Sequence, residues 1–152
     1  MNQTEWYKVA EVELIYKSKV KASDRPHIAT SKDAYQILLE TWDENRIEFV
    51  EQFKVMFLNK ANKVLGIYEV SRGGITGTVA DPRLIFVAAL KANCSGIIIS
   101  HNHPSGNLKP SRQDEQLTQK IKQGGDFLEI KLLDHVIITN EGYFSFSDEG
   151  LL

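Results

Sequence analysis

Cysteine is almost missing from this chain of 152 residues: Cys94 stands alone, so no intramolecular disulfide can staple the fold. No stretch approaches 18 apolar residues, which excludes a membrane-spanning helix. No charged-then-apolar leader precedes Glu5-Trp6-Tyr7. Together these absences set the expectation of a cytoplasmic protein without a membrane partner, in which Cys94 is a buried structural thiol. An excess of charge of one sign is also missing. With 18 basic and 20 acidic residues the net charge is −2, and no global field recruits nucleic acid. Lysines gather only locally, at Lys17, Lys19 and Lys21 and at Lys60 and Lys63, a pattern typical of solvated faces. Repeats and linkers are absent, and 42% hydrophobic content over this length suits one domain with a proper core.

What is present is concentrated between Ser100 and Asp114, where the chain reads His-x-His-x7-Ser-x2-Asp. Gly96-Ile97-Ile98-Ile99-Ser100 is a short β-branched run expected to be a buried strand leaving its sheet before the turn at Pro104-Ser105-Gly106. Side chains two apart on a strand share a face, so His101 and His103 can hold one cation while Asn102 points away. Pro110-Ser111 then precedes a helix of about three turns, outlined by Leu117 and Ile121 and stopped by Gly124-Gly125. Asp114 falls in its first turn. Two histidines and a carboxylate with an open fourth position describe catalytic zinc. Ser111-x-x-Asp114 also fits a helix capping box, and a capping serine can still aim its hydroxyl at a site built on the same helix end.

The remaining elements alternate. Val9 to Tyr16 is an imperfect strand-like run that can pair at a sheet edge. Ser31-Lys32-Asp33 caps a helix bearing Ala34, Ile37, Leu38 and Trp42. Strands near Phe53 to Asn59 and Val64 to Val70 are joined by a hairpin turn at Lys60-Ala61-Asn62-Lys63. The glycine-rich stretch from Arg72 to Gly77 lacks the lysine and spacing of a P-loop, so it reads as permissive backbone that could border a substrate groove. Asp81-Pro82 opens a helix whose apolar run from Leu84 to Ala92 predicts unusual burial. Ile130 to Thr139 and Tyr143 to Ser147 are the last strands. Asp134 and His135 are adjacent in the former and face opposite sides, one inward. A buried hydrogen-bonded role suits that residue better than a fourth ligand, and His135 is a candidate to support the metal site from behind. His27, beside Pro26, reads as a surface loop residue.

From about Glu51 to Ser147 the chain resembles the RadC family of JAB/MPN, JAMM-motif metalloproteins. The residues that carry the likeness are Glu51-Gln52-Phe53, Val55-Met56-Phe57-Leu58-Asn59, Asp81-Pro82-Arg83, the His101-Asn102-His103-Pro104-Ser105-Gly106 box, Pro110-Ser111, Asp114 and Asp134-His135. The resemblance implies an α/β fold with a single mixed β-sheet and flanking helices, the JAB/MPN (cytidine-deaminase-like) architecture. It occupies residues 31–152 behind an N-terminal extension or edge strand at 1–30. It further implies zinc held by His101, His103 and Asp114, with Ser111 supporting the reaction and Glu51 matching an upstream glutamate base. Among the glutamates before the metal box, Glu40, Glu44 and Glu48 look like solvated charges. Glu51 shares the parity of Phe53, Val55 and Phe57 and should face inward, where a carboxylate invites a functional explanation; alternatively it reaches water at a strand end.

Longer relatives carry a helix-hairpin-helix region, for which too few residues precede the first expected helix. The family's link to DNA repair is associational. Three functions follow as expectations. The first is a zinc peptidase or isopeptidase acting on a peptide or protein substrate. The second is a metal-dependent nuclease or DNA-processing factor, for which Lys109 and Arg112 would be the cations near the metal. The third is a non-catalytic binding module. Oligomeric state has no signature in the chain.

Overall fold

The two central strands are buried along their whole length on both faces, and this dictates a sheet covered by helices above and below. A computed structural model of the protein describes residues 8–13, 15–73 and 80–152. Helix α1 (Ser31–Thr41) leads into strands β1 (Gln52–Leu58) and β2 (Val64–Arg72). Helix α2 (Pro82–Lys91), strand β3 (Gly96–Asn102) and helix α3 (Arg112–Leu128) follow, then strands β4 (Lys131–Ile138) and β5 (Tyr143–Ser145). The sheet order is β2-β1-β3-β4-β5. Strands β3 and β4 are parallel and the other neighbours antiparallel, so the sheet is mixed, as expected. A parallel pair requires a crossover, which α3 supplies. Residues 101–114 therefore lie where the chain leaves the sheet at the carboxyl end of β3, the place where open α/β sheets expose functional groups.

Phe53, Val55 and Phe57 pack with Ile97 and Ile99 against Ile85 and Ala89 of α2 and Ile121 of α3. Met56, Leu58, Ile98, Val136 and Ile138 face the opposite side and meet Ala34 and Leu38 of α1. The alternation at Phe53, Val55 and Phe57 is thus one half of a strand whose other half lies under a different helix. Trp42 is buried in the second cluster, although α1 ends at Thr41 and the indole belongs to the residue capping it. In the β1–β2 hairpin, Asn59 Oδ1 accepts the Ala61 and Lys63 N–H groups, and Asn62 takes a left-handed φ of 57°.

Several expectations change. The described residues of the run from Val9 to Tyr16 form no strand, and Leu14 lies outside the described residues. One contact of the run with the sheet edge is the Tyr16 hydroxyl, donating to the Leu65 carbonyl at 3.0 Å. His27 is exposed, as expected of a loop residue, but its backbone bridges to Lys63. Helix α2 is not unusually buried: Ile85 and Ala89 form its packed stripe, while Leu84, Val87 and Leu90 are 45%, 51% and 56% exposed. A helix laid on a sheet covers one stripe, whatever the composition of the rest. Gly124-Gly125 does not stop α3, which continues to Leu128 and ends with Glu129 in the left-handed conformation. The pair serves close packing instead. A Cβ on Gly125 would come within 2.3 Å of the Ile130 carbonyl oxygen, and one on Gly124 within 3.0 Å of the Phe86 ring. Cys94 is buried, and burial pushes its thiol up to about 11. Arg72 ends β2, and the rest of the glycine-rich stretch from residue 74 lies outside the described residues. Among the described residues no helix is long and apolar enough to cross a membrane.

Candidate metal centre

His101 occupies the penultimate position of β3, between Phe53 of β1 and Ile137 of β4, and its ring is stacked parallel to Phe53. The side chain is 1% exposed. His103 lies one residue beyond the strand, at the opening of a turn closed by the Gly106 N–H donating to the His103 carbonyl. Gly106 has a φ of 83°, which glycine adopts freely. On the other side of the loop, Ser111 caps α3. Its hydroxyl accepts the Asp114 N–H at 3.0 Å, and Asp114 Oδ2 accepts the Ser111 N–H at 2.8 Å. The capping box of the sequence is therefore present, and it fixes the carboxylate as well as the helix start.

These elements converge. His101 Nε2 and His103 Nε2 are 2.9 Å apart, His101 Nε2 lies 3.4 Å from Asp114 Oδ1, and His103 Nε2 lies 3.6 Å from Asp114 Oδ2. The three residues form a group that could hold a metal ion. In a tetrahedral zinc site, ligand atoms sit about 3.3–3.4 Å from one another. The two imidazole–carboxylate separations fit that value, and the imidazole pair is a few tenths tighter, a difference small ring movements absorb. His103 Nδ1 is 2.5 Å from the Asn107 carbonyl, which can only accept, so Nδ1 carries a proton and Nε2 is the ring nitrogen turned toward the candidate metal position. Asp114 Oδ2 also accepts from the helix cap, and Oδ1 and Oδ2 each face one of the two imidazoles.

Electrostatics bear on the same atoms. Burial works to raise the Asp114 carboxyl, but hydrogen bonds from His101 and His103, the charge of His101 and the Ser111 N–H outweigh it and hold the group well below the usual carboxylate range. Burial also opposes charge on His103. The Asp114 carboxylate, the Asn107 carbonyl and Glu51 overcome it, and the net effect is a raised imidazole. Glu51 precedes β1 by one residue, and its carbonyl accepts the Gly73 N–H. Its side chain is half-buried. Burial raises its carboxyl, His101 and His103 pull the other way, and Asp114 adds to the rise. Glu51 thus feels the field of all three candidate ligands. Glu40, Glu44 and Glu48 are exposed, as their setting suggested. Lys109 and Arg112 are exposed and form no ion pair among the described residues.

A family model described as the RadC-like JAB domain matches residues 28–151. The chain belongs to that RadC-like JAB family. It is 48% identical over 124 residues to a UPF0758 protein of Flavobacterium johnsoniae, covering 82% of this chain and 53% of that protein. A UPF0758 protein of Porphyromonas gingivalis is 48% identical over 103 residues, 67% of this chain and 45% of its own length. One from Chlorobaculum parvum is 46% identical over 105 residues, 69% and 47% respectively. The chain spans about half the length of these curated relatives.

Within this JAB domain the residue behind the glutamate segment is one that sequence reasoning assigned no role. Asn102 points away from the histidines, as strand parity requires, yet its amide clamps the segment leading into Glu51. Its Oδ1 accepts the Gln52 N–H at 2.7 Å, and its Nδ2 donates to the carbonyls of Ile47 at 2.7 Å and Val50 at 2.8 Å. A buried amide must satisfy its polar atoms, and that requirement was the available signal. Thr118 was missed as well. It lies one turn after Asp114, fully buried, and contacts His135.

Asp134 and His135 do face opposite sides of β4, but both are buried, because the RadC-like sheet is covered on both faces. Asp134 Oδ2 accepts the Ser145 hydroxyl, and Oδ1 accepts the N–H groups of His135 and Ser147. Burial raises its carboxyl nonetheless, outweighing those bonds. A carboxyl raised in the folded state contributes stability that is complete below its unfolded value near 3.8 and is lost as pH climbs through the folded value. Asp134→Asn, which keeps Oδ1 as acceptor, should therefore gain on the wild type as urea melts are moved from pH 4 to pH 7. Asp134→Ala should cost about 2–4 kcal/mol at pH 4 and less at pH 7, because the buried His135 N–H and Ser145 hydroxyl lose their partner. A wild-type to Asn difference that is constant with pH would contradict this account.

Proposed function

We propose that this chain is a zinc-dependent hydrolase that cleaves the amide bond of a peptide or isopeptide in a protein substrate. The observation that carries the reading is the half-buried Glu51, its proton affinity raised by burial, set in the field of His101, His103 and Asp114. A carboxylate so placed holds a proton more readily than an ordinary one and is suited to accept and return it. Bound by His101 Nε2, His103 Nε2 and the Asp114 carboxylate, zinc would supply Lewis acidity that polarises a carbonyl and lets water ionise near neutral pH. Glu51 takes the proton from the attacking water as the C–O bond forms. It hands that proton to the amide nitrogen as the C–N bond breaks, so the amine leaves neutral and Glu51 is regenerated. Ser111 accepts from the Asp114 N–H, and its own hydroxyl proton is free to donate to the developing oxyanion.

A cavity of about 290 Å³ beside His103 supports an amide substrate over a phosphodiester. It is lined by Glu48 and Glu141 and by no lysine or arginine. A polyanionic strand would meet like charge there, while an uncharged or cationic peptide would not. A cytoplasmic setting accords with the unpaired Cys94.

The test is a zinc-loaded preparation offered fluorogenic peptides and isopeptide-linked substrates beside single-stranded and duplex DNA, with His101→Ala and Asp114→Ala as controls. Amide cleavage that tracks zinc content and vanishes in both variants is expected. Phosphodiester cleavage without amide cleavage would overturn the proposal.

A further inference from the structure

A continuous line of short contacts runs behind the candidate ligands. Thr118 Oγ1 lies 2.6 Å from the Asp114 carbonyl oxygen and 2.7 Å from His135 Nδ1, and His135 Nε2 lies 2.8 Å from His101 Nδ1. Each proton in this line can be placed by elimination. A carbonyl oxygen only accepts, so the 2.6 Å contact uses the single hydroxyl proton of Thr118. Toward His135 the threonine oxygen can then only accept, and Nδ1 of His135 must carry a proton. The His135 ring is fully buried, stacked on Phe146 and edge-on to Phe53, with no carboxylate among its hydrogen-bond partners. An imidazolium there would lack compensation, so the ring is neutral and its Nε2 presents a lone pair. His101 Nδ1 therefore donates to it, and Nε2, the atom facing His103 and Asp114, is the His101 nitrogen left to meet a metal.

We propose that Thr118 and His135 are positioning residues that set the proton order of His101, holding a proton on its Nδ1 so that Nε2 is the nitrogen that binds a metal. The proposal rests on the metal reading of the site. Asp114 participates twice, with its side chain as a ligand and with its backbone carbonyl as the acceptor that starts the line. Without the hydroxyl at position 118 the pair of rings can hold its protons in the reverse order, with His135 Nε2–H donating to His101 Nδ1. His101 would then point an N–H at the metal position. Losing such supporting contacts typically weakens metal binding by about 10–100-fold.

The test combines two measurements. Long-range ¹⁵N–¹H NMR on the metal-free wild-type protein should report a protonated Nδ1 on both His101 and His135 and an unprotonated Nε2 on His135. Zinc affinity by competition with a chromophoric chelator should fall about 10–100-fold in Thr118→Val and stay within about threefold of wild type in Thr118→Ser, which restores the hydroxyl. An unprotonated Nδ1 on either ring, a protonated Nε2 on His135, or unchanged affinity in a folded Thr118→Val, would overturn the proposal. If Thr118→Val does not fold, the wild-type spectrum decides alone. Wild-type protein with the expected ring protons but no zinc uptake would refute the metal reading while upholding the proton order.

Discussion

Glu51→Gln should lower turnover of an amide substrate by about 10²–10⁴-fold, the range that general acid–base catalysis spans, while zinc affinity stays within about threefold of wild type. The separation of the two effects follows from where Glu51 sits. Its carboxyl senses His101, His103 and Asp114, but it is not a member of the three-residue group itself. Glutamine matches glutamate in volume and keeps a hydrogen-bonding head, so packing at the end of β1 is preserved and what is lost is the ability to take and return a proton. The pH–rate profile should change too. In the wild type, the rise in rate on the acidic side should follow Glu51, shifted upward from the usual carboxyl value by burial. In the variant that limb should disappear from the residual rate. Loss of zinc together with loss of turnover would place Glu51 among the ligands and remove it as the base.

The second large effect should come from a residue on the opposite side of the sheet. Asn102→Ala should destabilise the protein by about 3–5 kcal/mol, because the Gln52 N–H and the Ile47 and Val50 carbonyls lose their partner in a buried setting. For a chain of this size that corresponds to about 10–15 °C in Tm. The candidate metal ligands lie on the other face, yet turnover should drop more than the loss of folded protein explains, since the chain on both sides of Glu51 is freed. Asn102→Asp should not rescue it: the new carboxylate oxygen would confront two carbonyl oxygens where Nδ2 had donated. Urea melts with zinc titration and turnover on the same samples would check this. A folded Asn102→Ala with wild-type stability would show that the clamp contributes nothing.

Much of the site was legible because it is written locally. His101 and His103 are two apart on a strand, and Ser111 and Asp114 are three apart at a helix start, so strand parity and capping chemistry predict which side chains converge. The order of strands and helices was legible for the same reason. What escaped depends on contacts between distant segments. Thr118 looks like one more polar residue on a helix until β4 brings His135 beside it, and Asn102 looks solvent-facing until the segment from Ile47 to Val50 folds over it. Gly124-Gly125 carries the signature of a helix stop, but the reason for glycine there is the Ile130 carbonyl and the Phe86 ring, neither of which local pattern reveals. The apolar surface of α2 misled in the opposite direction, since composition says what a helix can bury and not how much sheet is available to cover it.

The capping box at the start of α3 has a consequence for dynamics. Helix ends fray, and the first turn is commonly the least protected part of a helix against hydrogen exchange. Here the Ser111 and Asp114 N–H groups are held by each other's side chains, and the same carboxylate faces the histidines. Opening the first turn and dispersing the ligand set are therefore one event. The lifetime of an ion at this site cannot exceed the interval between such openings by more than the two histidines alone can sustain, and an ion in place holds the helix closed in return.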